Sequence, residues 1–179
     1  MATGIGGSGH ILFYGDSQLR RRCRPVESGE EDCQQLAADL WRLMINAGGV
    51  GLSAPQIGDL RRLIVVKDPR RAIPPRRLVL INPELVEIST TEISFEEGCL
   101  SFPNIYLRIV RPARIRVKYR NLVGMEKDLL ANGLLGRVIQ HEIDHLDGLL
   151  FIDHLSFVRR WLLAWRLKKL ANGSREGVR

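Results

Sequence analysis

Gly133-Leu134-Leu135-Gly136-Arg137-Val138-Ile139-Gln140-His141-Glu142-Ile143-Asp144-His145-Leu146-Asp147 is followed by Gly148. Leu134, Leu135, Val138, Ile139 and Leu146 recur at helical spacing, and a glycine past the end is a common helix stop. With so many apolar positions, this helix is expected to be largely buried. The flanking segments read as strands without strand–helix–strand alternation. That order predicts an α+β fold, with antiparallel sheets around a central helix.

The same helix carries His141-Glu142-Ile143-Asp144-His145. Histidines at i and i+4 lie about 40° apart around a helix axis, so both can reach one metal ion. The intervening Glu142 is then placed to take a proton from water. A catalytic metal needs a third protein ligand and an open position. His10 falls in the N-terminal lead, and His154 follows the helix closely but is expected at its far end. Cys99, in Glu97-Gly98-Cys99-Leu100-Ser101, is better placed, because Gly98 permits close backbone approach. A single cysteine is more commonly a small buried hydrophobe, and Cys23 and Cys33 keep that reading.

Outward from this centre, Glu30 to Ala47 reads as a helix ended by Gly48-Gly49, and a glycine-punctuated loop runs to Gly58. Strands are expected at 63–67, 78–88, 91–95 and 114–120, with Asn82-Pro83 marking an edge or a bend. The segment 68–77, with three prolines and four arginines, is expected to be an exposed loop. A third helix is expected at 157–170. This divides the chain into a disordered glycine-rich lead (1–10), a catalytic domain (11–156) and a basic C-terminal helix and tail (157–179).

Apolar residues make up 45% and charged residues 26% of the 179, as in an ordinary globular domain. No apolar stretch is long enough for a membrane-spanning helix. The lead has no Lys or Arg before Ile11, so neither a secretory signal nor a transit peptide is expected. Three cysteines without a C-x-x-C pair fit a reducing cytoplasm. Of the net charge of +7, the segment 157–179 supplies +6, from seven Lys or Arg and one Glu. Phe157, Val158, Trp161, Leu162 and Trp165 are expected to pack on the body. Arg159, Arg160, Arg166, Lys168 and Lys169 would then face solvent or phosphate, and ribosomal RNA is one such surface.

Three segments together resemble the signature motifs of peptide deformylases, in the family's order and spacing. They are Gly49-Val50-Gly51-Leu52-Ser53-Ala54-Pro55-Gln56, Glu97-Gly98-Cys99-Leu100-Ser101 and Gln140-His141-Glu142-Ile143-Asp144-His145-Leu146. The resemblance runs from about Ile11 to Leu155. It implies that Cys99, His141 and His145 bind the metal. It implies Fe2+ as the native ion, with Zn2+, Ni2+ or Co2+ able to replace it in a purified sample. It implies Glu142 as general acid/base, and Gln56 with the Leu100 backbone N–H as holders of the formyl oxygen. Gly51 would contribute a backbone group to substrate binding, and Val50 and Val138 would line the methionine pocket. The substrate would be N-formylmethionyl nascent peptides. The chain departs from common family usage at Ser53 and Gly136, where alanine is frequent, and at Tyr106, where some members carry arginine.

Two other functions fit parts of the pattern. A general H-E-x-x-H metallopeptidase would need a further His or Glu ligand downstream, for which only His154 is available. A nucleic-acid module with a structural metal would rest on Arg61, Arg62, Arg70, Arg71, Arg76, Arg77 and the tail, but that run has no interleaved aromatics for base stacking. A DNA partner is not expected. Asp144 is expected to form a structural ion pair with Arg111 rather than to orient a ligand histidine.

Overall fold

A computed structural model describes residues 9–27, 29–30, 32–68 and 76–176, the last three by backbone alone. Most of the expected lead and of the Pro/Arg-rich loop lies outside the described residues. The described residues form three α-helices: α1 (Cys33–Asn46), α2 (Gly133–Leu146) and α3 (Phe157–Glu176). The strands are β1 (Gly51–Ser53), β2 (Leu63–Asp68), β3 (Arg76–Ile88), β4 (Glu92–Cys99), β5 (Phe102–Pro112), β6 (Arg114–Arg120) and β7 (Glu126–Asn132).

Strands β1-β2-β3-β6-β7 form one sheet, in that order, and β4-β5 form a separate ribbon; every pairing is antiparallel. The uninterrupted apolar run Leu63-Ile64-Val65-Val66 explains why β2 sits inside the sheet: both of its faces are covered. Leu63 and Val65 face α1, with Leu36, Leu40 and Met44. Ile64 and Val66 face α2, with Leu135, Ile139, Ile143 and Leu146. The other side of α2 meets the ribbon: Arg137 donates to the Ile109 carbonyl and Gln140 to the Pro112 carbonyl. Helix α2 is thus central, as its composition predicts.

Several expectations are revised. The 49–58 loop contains β1 and a 3-10 turn, Ala54–Ile57, closed by Gly58 at φ 84°. Strands β5 and β7 lie outside the four expected strand segments. Asn82 marks a bend: it takes φ 51°, the β3–β6 register slips between Ile81 and Glu84, and its side chain bonds both backbone groups of Val26.

The largest correction concerns α3. Phe157, Val158, Trp161, Leu162 and Trp165 do not pack on the body; they are exposed. The helix docks instead through Leu163, Leu167 and Leu170. Ala171 comes so close to Gly15 that a Cβ there would sit 2.8 Å from the Ala171 Cα. Among the described residues, no helix is long and apolar enough to cross a membrane.

The arginine run is partly absorbed by the fold. Arg61 is buried and bonds both Asp59 and Asp32, while Arg62 pairs with Asp147 at 2.6 Å. These side chains are committed internally and do not offer a phosphate-binding stripe.

Candidate metal centre and cleft

Helix α2 presents His141 and His145 on its inner side, with ring centroids 5.0 Å apart. Cys99 ends β4, where the ribbon register shifts between Gly98 and Cys99. The shift turns the thiol toward α2, and Sγ lies 3.3 Å from His145 Nε2. Ligand atoms of Cys99, His141 and His145 all fall within 4.8 Å of one another. His10 is not part of this cluster, and His154 is engaged elsewhere, with Nε2 2.7 Å from Asp144.

Behind His141 stands Glu97, for which no separate role is expected from its motif. Its Oε2 accepts from His141 Nδ1 at 2.9 Å, which leaves Nε2 of that ring for an ion. The same carboxylate accepts from Arg111 Nε at 2.7 Å and Nη2 at 3.1 Å, and from Arg137 Nη1 at 3.0 Å. Arg111 also donates to Asp144 at 2.6 Å, so the expected Asp144–Arg111 pair is present and His154 joins it. The signal that could have singled out Glu97 is chemical. A ligand histidine needs an acceptor for its second nitrogen, and Glu97 stands two residues from Cys99.

Burial alone would raise the Glu97 pKa, but bonds from His141 and Arg111 outweigh it and hold it at about 2, against an ordinary 4.5. A depressed carboxylate stabilises the fold fully above its unfolded pKa and loses that contribution as pH falls through the folded one. Metal-stripped protein is therefore expected to lose on the order of 3 kcal/mol between about pH 4.5 and 2. Urea melts across that window measure the loss. Glu97→Gln, less stable at neutral pH, should show a correspondingly flatter acid limb, and equal slopes would discount the carboxylate.

Gln56 enters from the 3-10 turn and is buried. Its Oε1 accepts from the Ser53 backbone N at 2.9 Å and from Ser53 Oγ at 2.8 Å. That fixes the amide orientation and points Nε2 at Ser101 Oγ (3.1 Å) and Cys99 Sγ (3.6 Å). Ser53 therefore has a positioning contact.

Glu142 is buried with one oxygen, Oε2, lacking a hydrogen-bond partner among the described residues, and His145 Nδ1 is likewise unpartnered among them. Burial pushes the Glu142 pKa up to about 7. Burial also drives the His145 pKa down, whereas Cys99 and Glu97 overcome burial at His141 and hold its pKa up. A converging thiol and two imidazoles, with an orphaned carboxylate oxygen beside them, fit a divalent ion with a thiolate ligand and a reacting group at an open position.

These groups open on a cavity of about 460 Å³ lined by Val50, Gly51, Gln56, Leu100, Val138 and Glu142, among others. Gly51 lies on the edge strand β1. A Cβ there would sit 2.5 Å from Val138 Cγ1 and 2.7 Å from Glu142 Oε1, so only glycine allows α2 to approach. Leu100 occupies the turn between β4 and β5. Tyr106, largely exposed, lies over Gly98 on the cavity wall. Gly51, Gln56, Cys99, Leu100, His141 and Glu142 thus line one cleft, and the buried His145 stands behind it against Cys99.

Comparison with known proteins agrees. Residues 9–161 match the family model for polypeptide deformylase. The peptide deformylase of Salinibacter ruber is 43% identical over 175 residues, covering 93% of this chain and 90% of that protein. That of Mesorhizobium japonicum is 40% identical, covering 93% and 95%. Among solved structures, a plant peptide deformylase superposes with a TM-score of 0.90 at 30% identity, covering 99% and 96%. The Thermus thermophilus enzyme does so with 0.84 at 40%, covering 93% and 97%. The chain belongs to the polypeptide deformylase family.

Proposed function

We infer that this chain hydrolyses the N-formyl group from the initiator methionine of nascent polypeptides and releases formate. The convergence of Cys99, His141 and His145 beside the unpartnered Glu142 oxygen carries the reading. These three residues would hold the metal, and Fe2+ is the proposed native ion. Zn2+, Ni2+ or Co2+ could replace it, and the sulfur ligand disfavours hard ions such as magnesium. When bound, the ion supplies Lewis acidity, making water a better nucleophile and polarising the formyl carbonyl.

The protein groups do the rest. Glu142 takes the proton of the attacking water and delivers it to the departing amine. The Gln56 amide and the Leu100 backbone N–H donate to the formyl oxygen as it becomes an oxyanion. Gly51, on the free edge of β1, offers backbone groups to an extended peptide, while Val50 and Val138 flank the methionine side chain. A cytoplasmic location suits both the reduced thiolate and the substrate.

The observations favour this over the alternatives. His154 bonds Asp144 and is not at the centre, which removes the further ligand a general H-E-x-x-H peptidase would need. A closed structural site would have four ligands; among the described residues three converge here, and two of them, Cys99 and His141, line an open cavity. The ribosome supplies the substrate, and the cations of α3 taken alone would support a ribosome contact. The exposed apolar stripe of that helix argues for a different surface.

Formate release from formyl-Met peptides, with and without a chelator, tests the function. Release that the chelator abolishes and Fe2+ restores is expected, and cleavage of internal peptide bonds without formate would overturn it. Gln56→Leu is expected to lower kcat more than it raises KM, by about 3 kcal/mol of barrier. A change confined to KM would reduce Gln56 to ground-state binding.

A further inference from the structure

On α3, Phe157, Val158, Trp161, Leu162 and Trp165 are between 63% and 77% exposed. Helical spacing puts them within about 140° of arc. Leu163, Leu167 and Leu170, which dock the helix, lie on the opposite side. Aromatic rings present roughly 150–250 Å² each, so the three here already fill a patch of several hundred Å², the size that marks interaction surfaces. Phe13, also exposed, extends it along the groove beside Trp165. From 157 to 173 there are five cations and no carboxylate. Arg159, Arg160 and Arg166 reach back to the Arg108 carbonyl, Asp153 and the Asn104 carbonyl, which staples the helix down with its apolar face outward. Lys168 and Lys169 are exposed, and Lys169 Nζ sits 5.8 Å from the centre of the Trp165 ring.

We propose that the outer face of α3 is an interfacial surface that lies on an anionic lipid bilayer, its rings and aliphatic side chains at the headgroup–acyl boundary and its lysines on the phosphates. The leucine side of the helix is taken up by the body, so what is left to meet a bilayer is the outward apolar side with its neighbouring cations, the two contributions that interfacial binding combines. Tryptophan suits that boundary because its ring is apolar with one polar edge, and lysine stems can lie along the apolar layer while their ammonium groups reach phosphate. Nucleic acid would neutralise the lysines but give Val158 and Leu162 no apolar medium. A second copy of the chain would set cations against cations.

The test uses the full-length protein in flotation with vesicles of phosphatidylcholine alone and of phosphatidylcholine mixed equally with phosphatidylglycerol. Binding to the mixed vesicles, a blue shift of tryptophan emission and little binding to the neutral ones are expected. The double variant Trp161→Ala/Trp165→Ala should weaken binding about tenfold or more through lost apolar burial. Lys168→Glu/Lys169→Glu should weaken it by about fivefold per cation. Both variants should turn over a small formyl peptide as the parent does, which shows that they fold. Absence of flotation, or binding unchanged in the tryptophan variant, overturns the proposal. So does ribosome pelleting that the mixed vesicles fail to compete away, or a dimer that the tryptophan variant abolishes.

Discussion

Cys99→Ala is expected to purify with little metal and to lose nearly all formate release, while Cys23→Ala and Cys33→Ala keep both. The three thiols differ in surroundings. Cys99 Sγ faces His145 Nε2 at 3.3 Å and receives the Gln56 amide, at the mouth of a cavity. Cys23 is buried in the cluster beneath α2, and burial pushes its pKa up to about 12, so it stays a thiol. Cys33 is likewise raised by burial and packs with Leu36 and Val26. A metal ligand must be a thiolate. Removing Cys99 leaves two imidazoles, too few protein ligands for a tightly held catalytic ion. At the other two sites the loss is one buried sulfur, about 1 kcal/mol of packing. Metal content by elemental analysis and formate release at saturating peptide distinguish the three. Full metal content in Cys99→Ala would remove it from the ligand set.

The centre was legible because its chemistry is written locally. Two histidines one turn apart on an apolar helix define a direction, and helix α2 must be buried to satisfy its own composition. What was not legible depends on partners distant in sequence. Strand β5 does alternate, with Ile105, Leu107 and Ile109 inward, but Pro103-Asn104 interrupt the alternation after Phe102 and its inward row ends in a charge, Arg111. That charge goes inside because Glu97 and Asp144 are there to meet it. Strand β7 buries only Ala131, so it carries almost no apolar signal. In α3, periodicity revealed stripes but not which one turns inward. The leucine stripe won because the close approach of Ala171 to Gly15 sets the helix against the body on that side. The bulkier aromatic stripe was left outside.

Glu142→Ala is expected to keep its metal and lose on the order of 10²-fold or more in kcat, the usual contribution of general acid–base catalysis. Glu142 lies between the two histidines in sequence, but its carboxylate is not among the three converging ligand atoms. It is directed instead toward Gly51 on β1, and its Oε2 has no partner among the described residues. Burial raises its pKa to about 7. A carboxyl group so raised can hold and release a proton near neutral pH, the condition for taking one from water and returning it to the amine within one turnover. Alanine removes the proton carrier without disturbing Cys99, His141 or His145, so metal content and peptide KM should change little while kcat collapses. The pH profile adds a second readout: a limb of kcat governed by Glu142 should vanish in the variant. A variant that purified without metal would move Glu142 into the ligand set. One that kept parental kcat would leave the proton transfer to another group.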